Sequence, residues 1–504
     1  MHDRSPGPAF GESNLRRVVA EIEREIADLY TADSVPWVVG YSGGKDSTAV
    51  LQLVWRALSS LPLDRRSKPV YTISTDTLVE NPIVAAWVGR SLESIDVAAR
   101  DQELPITAHR LTPAVEDSFW VNLIGRGYPA PRPKFRWCTE RLKIMPSTRF
   151  ITSVVERHGE AILVLGTRKA ESAARARVME RYERMRTRDR LSPNGDLPNS
   201  YVYTPVEDWT NDDVWMFLMQ FRNPWGHDNK DLLGMYQGAS ADGECPLVVD
   251  TSTPSCGDSR FGCWVCTLVD QDKSMQAMIR NDEEKEWMLP LLELRNRLDP
   301  PKTLEGDRPL RDFRRMNGLV QLFNDRPIPG PYTQAARESW LRQVLEAQQY
   351  VRARGPEVVS DIDLITIDEL EAIRRIWVLE KHEIEDILPS IYQEATGIPY
   401  PGPCLDDYAP FGADEVALLK EVCGGDKIHF QLVRELLSVE KRHKSTRRRT
   451  GLFDAIEKAF LRGFYVGEDD AVERARHQRD ALTAAREQFF GRSELRIQQP
   501  TDAT

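Results

Sequence analysis

A glycine-rich loop at residues 42–47 has the residue types needed to bind a phosphate group. It follows the apolar run 36–41 and precedes a helix-like segment. Glycines let the backbone approach an anion closely, and the N–H groups at the start of a helix attract negative charge. Lys45 adds a cation, Asp46 can hold Mg²⁺, and two serine hydroxyls can donate hydrogen bonds. The predicted phosphate-binding residues are Ser42, Gly43, Gly44, Lys45, Asp46 and Ser47, with Lys45 and Asp46 in catalytic roles.

Four cysteines have the spacing of a metal or iron–sulfur site. They are Cys245, Cys256, Cys263 and Cys266, and glycines and prolines between them indicate loops. The Cys-x₂-Cys pair at the end can place two thiolates on one ion or cluster, and two more complete a four-thiolate site. Because zinc and a 4Fe-4S cluster both accept four thiolates, ligand type alone leaves the two open.

A further cysteine, Cys138, lies in the basic segment 132–143, which contains five lysines and arginines. Such cations lower the pKa of a thiol, so the segment predicts a nucleophile or a persulfide carrier in a catalytic role. The same cations can instead bind a phosphate oxyanion beside a buried cysteine, and the residues leave both interpretations open. Cys404 and Cys423 receive no functional assignment.

Two other polar loops are expected at the nucleotide site because each follows a strand-like run. The first is Ser74, Thr75 and Asp76, and the second is Gly166, Thr167 and Arg168. Ligands of parallel sheets bind at the carboxyl ends of the strands. We therefore predict that these six residues bind the same nucleotide as the glycine loop.

The elements that position these loops alternate between strand and helix. After an amphipathic N-terminal helix, β-rich runs at 36–41, 69–74 and 161–165 are separated by helix-like segments near 47–60, 81–100 and 140–157. This alternation predicts an α/β fold with a parallel sheet and flanking helices. From about residue 275, amphipathic patterns predict a mainly α-helical C-terminal region. The expected domains are 1–235 for the nucleotide half, 236–275 for the cysteine-rich loop module and 276–504 for the helical region.

The composition indicates a soluble globular protein. The 504 residues are 41% hydrophobic and 29% charged, and the formal net charge is −11. No apolar run reaches the ~18 residues of a membrane span, and the first residues lack the apolar segment of a signal peptide. We therefore expect a cytoplasmic protein without membrane contact.

Because the total charge is negative, nucleic-acid binding would depend on local basic patches. Residues 168–190 contain nine lysines and arginines and four acidic residues, and a second basic run covers 441–449. Each patch can contact a nucleic-acid backbone, and each can equally be a solvated charged surface.

The glycine loop differs from the Walker P-loop, since Asp46 replaces its Ser or Thr and Val39 replaces its first glycine. It resembles the PP-loop of ATP pyrophosphatases, which cleave ATP to AMP and pyrophosphate. With the Gly-Thr-Arg loop at 166–168 and the Trp-Thr and Asp-Val-Trp residues at 209–215, it resembles the phosphoadenylylsulfate reductase-like branch over roughly residues 34–220. The resemblance implies an adenine nucleotide α-hydrolase-like fold, ATP as ligand and sulfur chemistry nearby.

The spacing of the four cysteines is similar to that of the DndC family of DNA phosphorothioation sulfurtransferases, which carry a 4Fe-4S cluster. This resemblance implies ATP, Mg²⁺ and a 4Fe-4S cluster as cofactors. It also implies that ATP activates a DNA phosphodiester by adenylylation and that sulfur replaces a non-bridging oxygen. The implied partners are DNA, a cysteine desulfurase as sulfur donor and other Dnd proteins. The modified DNA sequence, and whether sulfur passes through Cys138 or the cluster, stay open.

Three alternatives remain. Phosphoadenylylsulfate and adenylylsulfate reductases share the nucleotide loops, but they use a cysteine near the C-terminus or an adjacent Cys-Cys pair, and here no cysteine follows Cys423. A tRNA thiolase would differ in its nucleic acid. A protein of another class would be a DNA-targeting scaffold subunit that binds ATP without turnover and holds structural zinc.

Overall fold

The computed structural model describes residues 12–186, 188–240, 261–299, 306–403, 413–444 and 450–497. The chain groups into two compact units. The first comprises Met1–Phe119, Pro131–Asp299 and Ala347–Leu364, and the second comprises Trp120–Ala130, Pro300–Glu346 and Ile365–Thr504. The units interleave along the sequence, and all predicted phosphate-binding loops fall in the first.

The first unit is built on a six-stranded sheet. Its strands are β1 (Trp37–Gly40), β2 (Val70–Thr75), β3 (Ile106–Leu111), β4 (Ala161–Val164), β5 (Ser192–Pro193) and β6 (Ser200–Tyr203). Their order is β3-β2-β1-β4-β6-β5, and every pair is parallel except β5 with β6. The predicted α/β fold is confirmed, and the three predicted strands are the adjacent β2, β1 and β4. Their carboxyl ends therefore meet at one edge of the sheet.

The helices of the first unit pack against this sheet or against one another. They are α1 (Glu12–Ala32), α2 (Lys45–Ser59), α3 (Pro82–Asp101), α4 (Met145–His158), α5 (Ala173–Glu183), α6 (Asn211–Gln220), α7 (Asn229–Gly238), α8 (Lys273–Asn281) and α9 (Leu289–Leu298). A π-helical turn, Thr139–Ile144, leads into α4. The start of α6 is a capping box: the Asp213 N–H donates to Thr210 Oγ1 at 3.2 Å, and the Thr210 N–H donates to Asp213 Oδ2 at 2.8 Å.

The core lies on both faces of the sheet because side chains alternate along each strand. On β1, Trp37 and Val39 point into the large cluster that includes residues of α1 and α2, whereas Val38 points into a smaller cluster with Val154 of α4. All three side chains are at most 1% exposed. Since fully burying a large apolar side chain stabilises by roughly 1.5–3 kcal/mol, this packing holds the end of β1, and the loop that follows it, in place.

The C-terminal region is mainly helical, as predicted. Its helices are α10 (Gln334–Arg354), α11 (Ile367–Arg375), α12 (Leu388–Thr396), α13 (Ala413–Val422), α14 (Lys427–Lys444), α15 (Leu452–Gly463) and α16 (Glu468–Ile497), and a short hairpin pairs β7 (Leu322–Phe323) with β8 (Arg326–Pro327). Within the described ranges, no helix combines the length and the apolar character needed to cross a membrane.

Candidate nucleotide and thiol site

The glycine loop at 42–47 has a backbone shape that requires glycine at residue 43. Gly43 has a φ of +71°, in the left-handed region that a Cβ disfavours. A Cβ at this position would lie 2.6 Å from Val88 Cγ2 in α3. The indole Nε1 of Trp87 donates a 3.2 Å hydrogen bond to the Gly43 carbonyl oxygen. Helix α3 therefore holds the loop from one side, and only a glycine fits there.

Ser42 and Ser47 brace this loop. The Ser42 N–H donates to Ser47 Oγ at 3.1 Å, and the Ser47 hydroxyl donates to the Gly44 carbonyl oxygen at 3.0 Å. Gly44 is the N-cap of α2 and, having no side chain, leaves the first amides of the helix without the usual capping oxygen. Those amides and the positive end of the helix dipole form an anion-binding position.

Asp46 lies between two cations. Its Oδ2 is 3.2 Å from Lys45 Nζ, and its Oδ1 accepts a 2.7 Å hydrogen bond from Arg168 Nε. Arg168 is only 4% exposed, and its Nη1 also donates to the Trp209 carbonyl oxygen at 3.2 Å. Arg168 thus joins the loop after β4 to the glycine loop. The role of Asp46 as a Mg²⁺ ligand stays a prediction, since both of its oxygens already have cationic partners.

The backbones of these two loops also touch. A Cβ on Gly166 would lie 2.9 Å from the carbonyl carbon and oxygen of Asp46 and 3.1 Å from the Ser47 nitrogen. Glycine at 166 therefore permits the close approach, and Thr167 is half-buried beside it. The structure brings together the predicted residues 42–47 and 166–168.

The predicted residues at the end of β2 and directly after it make their contacts with other elements. Ser74 is buried, and the Thr75 hydroxyl oxygen lies 2.9 Å from that of Ser147 in α4. Asp76 accepts a 2.8 Å hydrogen bond from Arg110 Nε in β3. Because β1 and β2 are parallel neighbours, this loop leaves the sheet beside the glycine loop. A direct contact of Ser74, Thr75 and Asp76 with a nucleotide stays a prediction.

The same loop after β2 holds Cys263, a connection that the sequence analysis missed. The Thr77 hydroxyl lies 3.3 Å from Cys263 Sγ and donates a 3.0 Å hydrogen bond to Glu80 Oε1. The sulfur lies 3.8 Å from that same carboxylate oxygen, and the Trp264 N–H donates to the Val79 carbonyl oxygen at 2.9 Å. Burial, and secondarily Glu80, raises the pKa of the Cys263 thiol to about 12. One thiol of the cysteine segment is therefore attached to the loop that carries Asp76.

Lys143 supplies a positive charge beside the Cys-x₂-Cys pair. Its Nζ lies 3.4 Å from Glu80 Oε1, and its side chain is 49% exposed. The negative charge of a Cys263 thiolate is the largest influence on the pKa of Lys143 and raises it, with Glu80 and Cys266 adding to the increase. The Cys266 N–H donates to the Cys263 carbonyl oxygen at 3.1 Å, so both thiols belong to one tight turn.

Cys138 lacks the lowered pKa that its basic neighbours predicted. Burial raises the pKa of this thiol and Cys266 adds to the increase, while hydrogen bonding with Thr139 acts in the opposite direction. One neighbouring cation, Arg141, donates to Asp117 Oδ1 at 2.7 Å. The predicted pKa shift is therefore wrong in sign, because burial outweighs cations that face carboxylates. The role of Cys138 in carrying sulfur stays a prediction.

The chemistry of these thiols fits a soft metal ion or an iron–sulfur cluster. Cys263 and Cys266 share a turn that faces Lys143, and Cys138 is near enough to interact electrostatically with Cys266. Thiolates are the ligands that zinc and iron–sulfur clusters prefer. The predicted ligands Cys245 and Cys256 lie outside the described residues. Within the described residues alone, no group of three or more ligand-type side chains is arranged to hold a metal ion.

Most cations of the basic patch at 168–190 pair with carboxylates. Besides Arg168 with Asp46, the pairs are Lys169 with Glu183 (2.9 Å), Arg175 with Glu171 (3.5 Å), Arg186 with Glu207 (3.1 Å), Arg188 with Glu160 (3.0 Å) and Arg190 with Glu25 (3.1 Å). In the described part of the chain, Arg177, Arg181 and Arg184 form no such pair. Of the second patch, 441–444 form the last turn of α14, and 445–449 lie outside the described residues.

A polar cavity of about 330 Å³ lies beside α1 and the end of β6. It is lined by residues that include Glu25, Arg190 and Tyr203. The Tyr203 hydroxyl donates to Glu25 Oε1 at 2.7 Å, and Arg190 Nη2 lies 3.1 Å from Glu25 Oε2. The lining carries four carboxylates, Glu21, Glu25, Glu207 and Asp208, and two arginines, Arg186 and Arg190, so its net charge is negative and disfavours a phosphate.

Comparison with known proteins identifies the domain that holds the three loops. Residues 36–225 match the family model of the phosphoadenosine phosphosulfate reductase domain. The chain therefore contains a domain of this reductase-like type, within the PP-loop superfamily. An uncharacterized protein of Methanocaldococcus jannaschii is 26% identical over 200 residues, which are 40% of this chain and 35% of that protein. The chain thus spans about a third of the length of the curated relative it matches.

Two solved structures are similar to this chain at lower sequence identity. The phosphoadenylyl-sulfate reductase of Candida auris, in a phosphate complex, is 11% identical, covers 43% of this chain and 89% of its own, and has a TM-score of 0.27. The U34-tRNA thiolase NcsA of Methanococcus maripaludis, with its 4Fe-4S cluster, is 14% identical, covers 58% of this chain and 86% of its own, and also has a TM-score of 0.27. At these TM-scores the two structures carry no argument about function.

Proposed function

We propose that the chain is a PP-loop ATP pyrophosphatase and sulfurtransferase that activates a DNA backbone phosphate by adenylylation and helps to replace a non-bridging oxygen with sulfur. The observation that carries this proposal is the attachment of Cys263 to Thr77 and Glu80, with Thr77 Oγ1 3.3 Å from the sulfur. These two residues follow β2, the strand next to the glycine loop. Nucleotide activation and thiol chemistry would therefore occur at one edge of one sheet.

The first step would use the glycine loop. A non-bridging oxygen of the DNA phosphodiester attacks the α-phosphorus of ATP, the α–β bond breaks, and pyrophosphate leaves. The Lys45 side chain, the Gly44 amide and the positive end of the α2 dipole would hold the departing phosphates, and Asp46 would hold Mg²⁺. Preorganised charge of this kind commonly supplies the largest part of a catalytic effect.

The second step would use the thiol site. A sulfur nucleophile attacks the activated phosphorus, and AMP leaves with the original non-bridging oxygen. Cys263 and Cys266 would be two of the ligands of a 4Fe-4S cluster, which would supply iron atoms that bind sulfur. Lys143, whose Nζ is 3.4 Å from the Glu80 carboxylate that contacts Cys263, would offset the negative charge of that carboxylate and of the thiolates beside it.

The proposed partners follow from the same chemistry. DNA would contact Arg177, Arg181 and Arg184, which pair with no carboxylate of the described residues; the first two lie on α5, a helix with no buried side chain. A cysteine desulfurase would deliver sulfur, and other Dnd proteins would present the DNA. The spacing of the four cysteines supports this specific assignment.

Pyrophosphate release from ATP tests the nucleotide step. We expect Lys45→Ala to reduce the rate by about 100-fold or more, the loss typical of removing one preorganised charged donor. Lys230→Ala, at an exposed lysine at the start of α7, is the matched control and keeps the wild-type rate. Equal background rates in the wild type and Lys45→Ala would refute an enzyme and favour the scaffold.

Mass spectrometry of nuclease-resistant dinucleotides tests the substrate. Deletion of the protein should remove sulfur from genomic DNA and leave tRNA nucleosides unchanged. Loss of tRNA thiolation with intact DNA sulfur would favour a thiolase. The match of residues 36–225 to the reductase domain also favours a reductase, and thiol-dependent release of sulfite from phosphoadenylylsulfate would identify that activity.

A further inference from the structure

Tyr236 touches the glycine loop from a distant part of the sequence. The Lys45 N–H donates a 3.4 Å hydrogen bond to the Tyr236 hydroxyl oxygen, and Lys45 Nζ lies 5.5 Å from the centre of the ring. A Cβ on Gly44 would lie 3.2 Å from the same oxygen. The phenol is thus placed at the first amide of α2, where the loop would receive a phosphate.

The hydrogen of this hydroxyl has no acceptor within the described residues. In its contact with Lys45 the oxygen accepts, so the O–H remains free to donate. Burial raises the pKa of Tyr236, which keeps the phenol protonated at neutral pH. An O–H donor at the positive N-terminal end of α2 and beside a lysine has the chemistry of a phosphate ligand.

Aromatic packing fixes the direction of the Tyr236 ring. Trp215 meets it edge-on at 5.2 Å between ring centres, and Phe261 meets it edge-on at 4.6 Å. Phe261 lies two residues before Cys263 in the sequence. A ring held on two sides loses little conformational entropy when its hydroxyl engages a ligand.

We propose that the Tyr236 hydroxyl donates a hydrogen bond to the pyrophosphate portion of a nucleoside triphosphate held at the glycine loop. This inference rests on the proposed ATP pyrophosphatase function and adds a residue to it. The α-phosphate of AMP would lie farther along the site, at the bond that breaks. Tyr236 would therefore distinguish ligands that carry the β- and γ-phosphates from those that lack them, and its bond would strengthen as charge develops on the leaving pyrophosphate.

Calorimetric titration of Tyr236→Phe tests this inference. The probes are Mg-ATP, Mg-pyrophosphate and AMP, and the matched control is Tyr203→Phe, which also loses a buried phenol hydroxyl but in the cavity beside α1. We expect Tyr236→Phe to bind ATP and pyrophosphate about tenfold more weakly, the usual value of a hydrogen bond to a charged group, and to bind AMP unchanged. Tyr203→Phe should match the wild type for all three probes, and melting temperatures verify that both variants fold.

The outcomes separate this inference from the proposed function. Unchanged affinity of Tyr236→Phe for pyrophosphate, with wild-type binding intact, refutes the role of Tyr236 alone. An equal loss for ATP, pyrophosphate and AMP refutes it too, because it indicates a general distortion of the loop. Failure of the wild-type protein to bind ATP or pyrophosphate refutes the pyrophosphatase proposal itself.

Discussion

The glycine loop and the thiol site differ in how the chain assembles them, although both belong to the same unit. The loop consists of six consecutive residues, and its shape depends on Gly43 and on bonds between residues 42 and 47. The thiol site combines residues 77–80, 138–143 and 263–266. A contiguous site shows its chemistry in the sequence, whereas a dispersed site acquires its charges and burial only on folding.

Replacing Cys263 should have the largest effect and should separate the thiol site from the glycine loop. We expect Cys263→Ser to abolish sulfur incorporation and bound iron, because one thiolate of the Cys-x₂-Cys pair is lost. Pyrophosphate release should stay within about twofold of wild type, since the phosphates are held by the other site. Iron analysis, sulfur analysis of DNA and a pyrophosphate assay measure the three quantities. Cys423→Ser, at the end of α13, is the control and should change none of them.

A loss of pyrophosphate release in Cys263→Ser equal to the loss of sulfur incorporation would contradict this separation. The glycine loop and the thiol site would then form one catalytic unit, joined through Thr77 and Glu80.

A methyl group on Gly43 should damage the glycine loop selectively. We expect Gly43→Ala to lower kcat/KM for pyrophosphate release by about tenfold, because the +71° φ is strained for alanine by roughly 1–2 kcal/mol and the Cβ would lie 2.6 Å from Val88. Gly89→Ala is the matched control in the interior of α3, where a Cβ meets nothing within 4 Å. It should stabilise the protein by about 0.8–1 kcal/mol through helix propensity. Equal activity of the two variants would show that the loop tolerates a side chain.

The smallest expected effect is a difference in the reactivity of Cys138 between the native and the unfolded protein. Because its pKa is raised in the folded protein, the thiolate fraction at pH 7 is lower than in the unfolded chain. We expect metal-free native protein to react with iodoacetamide at Cys138 at least about threefold more slowly than protein in urea. The rate should also keep increasing above pH ~8.5, the ordinary pKa of cysteine.

Quantitative mass spectrometry of the Cys138 peptide over a pH series measures both effects. If the pH midpoint of alkylation at Cys138 were lower in the native protein than in the unfolded chain, Cys138 would be the activated thiol that the sequence predicted.

The central architecture could be read from the sequence because its strands are short apolar runs. The runs at β1, β2 and β4 predicted the parallel sheet. The edge strand β3 was missed because most of its side chains are partly or fully exposed, so Ile-Thr-Ala-His-Arg-Leu shows no continuous apolar signal. The very short β6 was missed as well, since four residues give little periodicity.

The sequence predicted which types of residue form the candidate site, but it predicted fewer of the contacts between them. Gly166 and Arg168 reach the glycine loop as strand-end topology predicted. The ion pairs of the 168–190 patch were not foreseen, because the partners Glu25, Glu160 and Glu207 come from other elements. Tyr236 was missed for the same reason, since no local pattern links it to Lys45.

The sequence by itself determined the strand–glycine–helix unit at 37–59, the α/β fold and the Cys-x₂-Cys turn at 263–266. These depend on backbone sterics, hydrophobic periodicity and residue spacing, all of which act within a few residues. Only the tertiary structure decided that Cys263 is attached to the loop after β2 and that Cys138 has a raised rather than a lowered pKa. Burial and charge pairing depend on segments far apart in the chain, so folding alone sets their balance.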